Sequence, residues 1–401
     1  MVVKFGGSVL EDGAAFRRIA ESLKVELERG SRIVVVVSAL RGVTDQLLGA
    51  AEAISPETPL DVIDHIIGLG EEQSVRLMAS AMRAIGIDAV EVTPHSPSWP
   101  LVTNEAYGNA EPILKECAVS IELGVGPLLK RGLVPVVCGF VGRSLAGSIT
   151  TLGRGGGDTT AVVLARCLDA DELVLVKDVG GFYTADPKRV ADAAHLKALS
   201  VWEASLLAAS GAKILHGKAF RYKPEALKMR IVSIDGGLGE GGTLISGTVP
   251  ELQVEVHENP VTSFTLLGDL ISEFTVIPRV LKAVEDAGGA VLSVKGDEEL
   301  TTLYVDGPAD DVLNSVHGLI AQTEGVKAVG HAGGLALIHL RGRLLNDVIE
   351  ATCMINGALS SMGVFPKDVI TGHSSLHLLV NWEQRLPASE QIASLFEEGF
   401  A

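Results

Sequence analysis

The chain has 401 residues, is 47% apolar and carries a net charge of −17. That length fits two or three domains with full cores. The acidic balance excludes an electrostatic grip on nucleic acid or an anionic membrane, while leaving room for an anionic small molecule held by a few local cations. Aromatics are only 4%, so the cores rest on Ala, Val, Leu and Ile, and 45 glycines point to many turns and close backbone approaches. The four cysteines, Cys117, Cys138, Cys167 and Cys353, form no close pair and read as buried free thiols, so neither a disulfide nor a metal site is expected. No uninterrupted apolar run is long enough for a bilayer and no leader pattern stands out, which predicts a cytoplasmic protein.

Taken in chain order, Val2, Val3 and Phe5 read as a buried strand with Lys4 inside it, followed by Gly6, Gly7 and Ser8. Lys4 is either a cation beside a glycine turn that holds an anion or a solvated edge charge. Residues 13–30 form an amphipathic helical pattern, and 32–40 a continuous apolar strand of the kind a parallel sheet covered on both faces requires. Residues 68–80 read as a glycine turn into a helix that opens on Glu71 and Glu72, where the helix dipole favours negative charge in any case. Further buried strands are expected at 133–142, 171–179 and 229–235. The alternation is βαβ, an α/β fold with a mainly parallel sheet.

Residues 151–170 contain Gly153, Arg154, Gly155, Gly156 and Gly157 ahead of a helix, with Asp158 as its expected N-cap. Crowded backbone N–H groups at a helix start suit an anion, and Arg154 adds a fork-shaped cation. A flexible loop with a structural cap is the other reading. Asp178 falls at the C-terminal end of a parallel strand, where open α/β sheets bind ligands, and Tyr183 and Lys188 follow. Lys213 follows a glycine that ends a helix, a place where a lysine is ordinary. Glycines at 236–247 mark a boundary; 247–260 reads as a linker, and 261–401 as two ferredoxin-like strand–helix–strand units. His373 and His377 flank a strand-like segment and make no evident metal pair.

The order of these motifs resembles the aspartate kinases of the amino-acid kinase superfamily. The segments that carry the resemblance are KFGGS at 4–8, VVVSALRGVTDQLL at 35–48, GEEQSVRL at 70–77, TLGRGGGDTTA at 151–161, KDVGGFYTADPK at 177–188 and GAKILH at 211–216. The resemblance implies a three-layer αβα kinase domain over 1–246, and the tail looks like the paired ACT domains such kinases carry. It implies ATP and Mg²⁺ as cofactors, L-aspartate as acceptor and 4-phospho-L-aspartate as product, at the first step toward lysine, threonine and methionine. It also implies lysine or threonine as a possible effector, and a homodimer or higher oligomer joined through the ACT units.

By resemblance, Lys4 would neutralise transferring phosphate charge, helped by Asp158. Gly6, Gly7, Ser8, Gly155 and Gly156 would bind phosphate. Glu71 would hold the substrate ammonium, and Arg154 its α-carboxylate near Ser38. Lys177, Asp178, Tyr183, Lys188 and Lys213 would meet the nucleotide. Several positions depart from the family pattern: Gly157 replaces a serine, Gly180 an aspartate, Lys177 a threonine and Lys188 an arginine, and no D-x-P-G loop occurs at 266–280. These keep two alternatives in view, a sibling kinase with another small-acid acceptor and a non-catalytic ACT-type amino-acid sensor.

Overall fold

The computed structural model describes residues 1–210, 217–239, 241–268, 276–297, 299–345, 348–372 and 374–398. The chain divides into two compact units, Met1–Val249 and Pro250–Ala401. The strands of the first unit are β1 (Val2–Phe5), β2 (Val34–Val37), β3 (Ala89–Val92), β4 (Val102–Thr103), β5 (Val134–Cys138), β6 (Val141–Ser144), β7 (Ile149–Thr151), β8 (Glu172–Lys177), β9 (Ala198–Ser200), β10 (Lys228–Ser233) and β11 (Thr243–Ser246). Its helices are α1 (Gly13–Glu28), α2 (Val43–Ile54), α3 (Leu60–Ala84), α4 (Leu114–Leu123), α5 (Val125–Lys130), α6 (Gly156–Cys167), α7 (Val201–Ala209) and α8 (Gly217–Phe220).

Eight strands form one sheet in the order β3-β5-β2-β1-β8-β10-β11-β9. From β3 to β10 they run parallel, and β11 is antiparallel to β10. The valine run of β2 is buried throughout, as a strand covered on both faces must be. Helix α1 packs on α3, and α6 packs on α4 and α8. Right-handed crossovers put the first pair on one face and the second group on the other, giving three layers. At β1 and β8 the connections diverge: β1 leads through α1 to β2 on one side, and β8 leads to β10 on the other. That divergence is a topological switch point, which opens a crevice at the carboxyl ends of the two strands.

Three local expectations need correction. Residues 133–142 are not one strand, because β5 ends at Cys138 and β6 starts at Val141. Between them Phe140 adopts φ +67 and donates its N–H to Thr160 Oγ1 at 3.1 Å. Second, Gly68 and Gly70 do not open a helix, since α3 runs through them. A Cβ at Gly70 would stand 3.0 Å from Ala39 Cβ and 3.2 Å from Val43 Cγ1, so this glycine serves close packing rather than a turn. Third, the N-cap of α6 is Gly155, at φ +77, and Asp158 lies inside the first turn with its side chain committed elsewhere.

The second unit contains β12 (Gln253–Val256), β13 (Val261–Gly268), α9 (Val276–Asp286), β14 (Ala290–Gly296), β15 (Leu300–Asp306), α10 (Ala309–Ile320), β16 (Val326–Arg341), α11 (Val348–Ser361), β17 (Asp368–Gly372), β18 (Ser375–Asn381) and α12 (Arg385–Glu398). Its antiparallel sheet runs β14-β15-β13-β16-β18-β17, with β12 also on β16. Long β16 is shared. Its first part pairs with β13 and completes a ferredoxin-like βαββαβ module, and its second part pairs with β18 and β12 and begins another. The two modules keep separate cores, one around Phe264 and Val280 and the other around Ile338 and Leu378. Residues 247–260, read as a linker, therefore include a strand of the second module; Gln253–Val256 is too short for alternation to show. Much of the D-x-P-G position falls on residues 269–275, outside the described residues, as does His373. Cys117 and Cys138 are buried free thiols, but Cys353 is exposed. No helix among the described residues is long and apolar enough to cross a membrane.

Candidate active site

The centre of the site is Asp158. Its Oδ1 accepts from Lys4 Nζ at 2.8 Å, and its Oδ2 accepts from Lys177 Nζ at 2.8 Å. Strand register brings the two lysines together. Lys4 of β1 lies beside Leu175 of β8, and Lys177 is two residues further along, so both side chains leave the same face of the sheet. The start of α6 lies over that face. Lys4 and Asp158 are each only 5% exposed. Burial alone would raise the Asp158 carboxyl, but Lys177 and Lys4 outweigh it and hold it at about 2. Burial pushes the Lys4 ammonium below its usual range, and Asp158 offsets only part of that.

Gly157 makes room for this arrangement. A Cβ there would stand 3.2 Å from Lys4 Cε, 3.3 Å from Ser38 Oγ and 3.4 Å from Lys4 Nζ. The family's serine is therefore missing at the place where the lysine head passes. On the other side, a Cβ at Gly6 would lie 3.6 Å from Lys177 Cδ and 3.7 Å from Ser8 Oγ, and one at Gly7 would lie 3.1 Å from Ala39 O. The loop after β1 thus lies against the stem of Lys177. The Gly6 N–H is occupied by Val176 O at 3.1 Å and the Gly156 N–H by Gly153 O at 2.9 Å, so these two amides are held within the scaffold.

Glu71 extends from mid-α3 toward the same centre and is 3% exposed. Its Oε1 accepts from the Ala39 N–H at 3.2 Å, while Oε2 has no partner among the described residues. Burial raises this carboxyl to about 7, against the pull of the Ala39 amide and of Lys4.

A second cluster lies at the end of β8. Lys188 Nζ donates to Asp178 Oδ2 at 2.9 Å. That bond, aided by the Ser8 hydroxyl, holds Asp178 below the ordinary carboxylate range despite some burial. Tyr183 stands edge-on to His195 at 5.0 Å, on its own loop. Arg154 is exposed and makes no hydrogen bond or ion pair among the described residues. Lys213 lies outside the described residues. The structure therefore gathers Lys4, Ser38, Gly157, Asp158 and Lys177, with Glu71 alongside and Ser8, Asp178 and Lys188 next to them, and leaves Tyr183 and Arg154 apart.

Two residues that hold the site were not singled out from sequence. Asp64, 0% exposed, lies on α3 two turns before Glu71. Its Oδ2 accepts from Thr151 N at 2.8 Å and Gly108 N at 2.9 Å, and its Oδ1 from Thr151 Oγ1 at 2.6 Å. Lys218 Nζ donates to Leu152 O at 2.7 Å, Asn109 Oδ1 at 2.9 Å and Ala110 O at 3.0 Å. Together they fix the base of the Gly153–Gly157 loop. The available signal was Asp64 interrupting an apolar helical stripe, a place where a carboxylate must find donors.

The sequence profile of the amino acid kinase family matches residues 1–233. The chain belongs to the amino acid kinase family. The aspartokinase of Geobacillus stearothermophilus is 33% identical over 408 residues, covering 99% of this chain and 97% of the relative. That of Corynebacterium glutamicum is 37% identical over 257 residues, covering 64% of this chain and 59% of the relative, so the match spans less than two thirds of that protein. E. coli aspartokinase III, crystallised with aspartate and ADP, aligns with a TM-score of 0.56 at 24% identity, over 98% of this chain and 99% of that one. At that identity the likeness is one of fold, and it covers the amino acid kinase unit and the tail together.

Proposed function

We propose that the chain is an ATP-dependent aspartate kinase that moves the γ-phosphoryl group to the side-chain carboxylate of L-aspartate, giving 4-phospho-L-aspartate. The observation that carries this reading is the buried Lys4–Asp158–Lys177 chain at the switch point, between two glycine loops. An aspartate side chain is already an anionic nucleophile at neutral pH and needs no general base. Bringing it in line with a triphosphate requires fixed cations and oriented N–H groups, which this site has. The acceptor is supported by the relatives named aspartokinase, and the nucleotide by the ADP in the E. coli enzyme.

In this reading Glu71 takes the substrate ammonium on its unpartnered oxygen, and Arg154, unpaired among the described residues, takes the α-carboxylate near Ser38. Ser8 and Gly7 face the phosphates, with Gly155 shaping the second loop. Asp178, Tyr183, Lys188 and Lys213 serve the nucleotide. The donor set fits a Mg²⁺ that arrives with the triphosphate. Asp158 already accepts from two lysines, one on each oxygen, whereas the half-exposed Asp178 is paired with exposed Lys188 and accepts from the Ser8 hydroxyl. Among the described residues no cluster of three or more acidic, His or Cys side chains forms a metal cage. When bound, the ion would neutralise phosphate charge, with Asp178 and Ser8 as its protein contacts. The tail reads as regulatory, with lysine or threonine as effector and a homo-oligomer formed through the ferredoxin-like modules.

The test is purified chain with ATP, Mg²⁺ and L-aspartate, the acyl phosphate trapped as its hydroxamate, with lysine or threonine added in parallel. Turnover is expected, and Lys4→Ala should lower it roughly 10²–10³-fold without unfolding. No acyl phosphate from aspartate, or near-normal turnover in Lys4→Ala, overturns the reading.

A further inference from the structure

We propose that Lys177 is a second catalytic cation, which grips the transferring γ-phosphoryl group together with Lys4 from the opposite oxygen of Asp158. The proposal rests on the kinase reading above and adds a residue to it. The placement follows from backbone register, since Lys4 and Lys177 leave one sheet face from neighbouring strands. Each ammonium donates one hydrogen bond, to a different oxygen of the same carboxylate. A lysine head has three N–H donors, so each keeps two for another acceptor.

Charge points the same way. Two lysines share one aspartate, and the trio is largely buried, with side-chain exposures of 6% for Lys4, 6% for Asp158 and 16% for Lys177. Within the trio one positive charge is in excess, with unspent N–H groups that call for an anion, while Glu71, the other carboxylate acting on Lys4, is given in this reading to the substrate ammonium. The neighbouring surface is suited to receive one. The stem of Lys177 runs along Gly6, the residue that leads into the loop whose Gly7 and Ser8 amides have no protein acceptor among the described residues. Helix α6 begins at Gly156, so Asp158 stands in its first turn, at the positive end of the helix dipole. Lys177 is the more open of the two lysines. As charge spreads over the three equatorial oxygens of the transferring group, Lys4 and Lys177 contact it from two directions, and Asp158 fixes their separation. The P–O bond to ADP breaks as the bond to the acceptor carboxylate forms, and both lysines stay protonated throughout.

The test compares Lys177→Met, Lys177→Arg and Lys4→Ala with the unaltered chain in two measurements. In steady-state turnover with aspartate, Lys177→Met should lower kcat roughly 100-fold with the KM for aspartate changed less than about threefold, and Lys177→Arg should restore part of the loss. In equilibrium binding, a non-hydrolysable ATP analogue should lose roughly tenfold more affinity than ADP in Lys177→Met, because only the analogue carries the γ-phosphate. The proposal is overturned if kcat stays within twofold, if only the KM for ATP rises, or if ADP and the analogue weaken equally. Should the unaltered chain form no acyl phosphate with aspartate, the kinase reading fails on its own, and the analogue-to-ADP ratio still decides the role of Lys177. A circular-dichroism melt of Lys177→Met separates a lost charge contact from a lost fold.

Discussion

Glu71 gives one carboxylate oxygen to the Ala39 amide at 3.2 Å and leaves the other buried without a partner. Desolvation raises its pKa from 4.5 to about 7. Between those values the folded chain binds a proton that the unfolded chain does not. The stabilisation is complete below pH 4.5 and disappears as pH rises through 7, by about 3 kcal/mol at most. Glu71→Gln should therefore flatten the pH dependence of urea unfolding between pH 5 and 8, and be more stable than the unaltered chain at the upper end. Under the kinase reading, the KM for aspartate should rise below pH 7 as Glu71 takes a proton and loses its charge for the ammonium. A parallel slope in Glu71→Gln would show that another group is responsible.

Asp158 behaves oppositely. Held at about 2, it contributes its full stabilisation above pH 3.8 and loses it only as pH falls toward 2. Asp158→Asn should destabilise by about 3 kcal/mol, because Lys4 would remain buried without its counter-charge. Lys4→Met combined with Asp158→Asn should recover part of that loss. A denaturant double-mutant cycle measures it, and strict additivity would contradict the pairing.

Asp64→Ala removes the acceptor for three donors at the base of the glycine loop. A loss of about 3 kcal/mol is expected from the orphaned buried groups. Asp64→Asn keeps the shape and one acceptor oxygen. It should cost less stability yet still loosen the Gly153–Gly157 loop, and raise the KM for aspartate more than that for ATP. An unchanged KM ratio would reduce Asp64 to a purely structural residue.

Gly157→Ser tests the tight passage beside Lys4. The new Cβ would press on Lys4 Cε and Ser38 Oγ, so neighbours must give by a few tenths of an ångström. Stability should fall by about 1 kcal/mol, and turnover should drop through displacement of Lys4 rather than through loss of aspartate binding. A gain in turnover would instead mean that the hydroxyl is accommodated and used.

The sequence was most readable where physics is local. Continuous valine runs have one good solution, a parallel strand covered on both faces, and Val34–Val37 took it. Lys4, Glu71, Asp158 and Lys177 were all legible as candidates, but not what each would touch. The glycines misled in both directions. Those at Gly68 and Gly70 looked like a turn and proved to be packing positions inside α3, because helix propensity yields to the close approach of Ala39. The glycine at 155 took the capping place expected of Asp158, which freed that carboxylate for two lysines.

What sequence alone determined is the inventory: a βαβ alternation, two glycine loops, a set of charged residues in a fixed order and an antiparallel tail. What the tertiary structure decided is partnership. Lys4 and Asp158 are 154 residues apart and meet only because the sheet places β1 next to β8 and lays α6 over their ends. Lys177 joins them because strand side chains alternate with a period of two and the register sets Lys4 beside Leu175. Such contacts depend on strand order and register, which no local stretch of chain encodes.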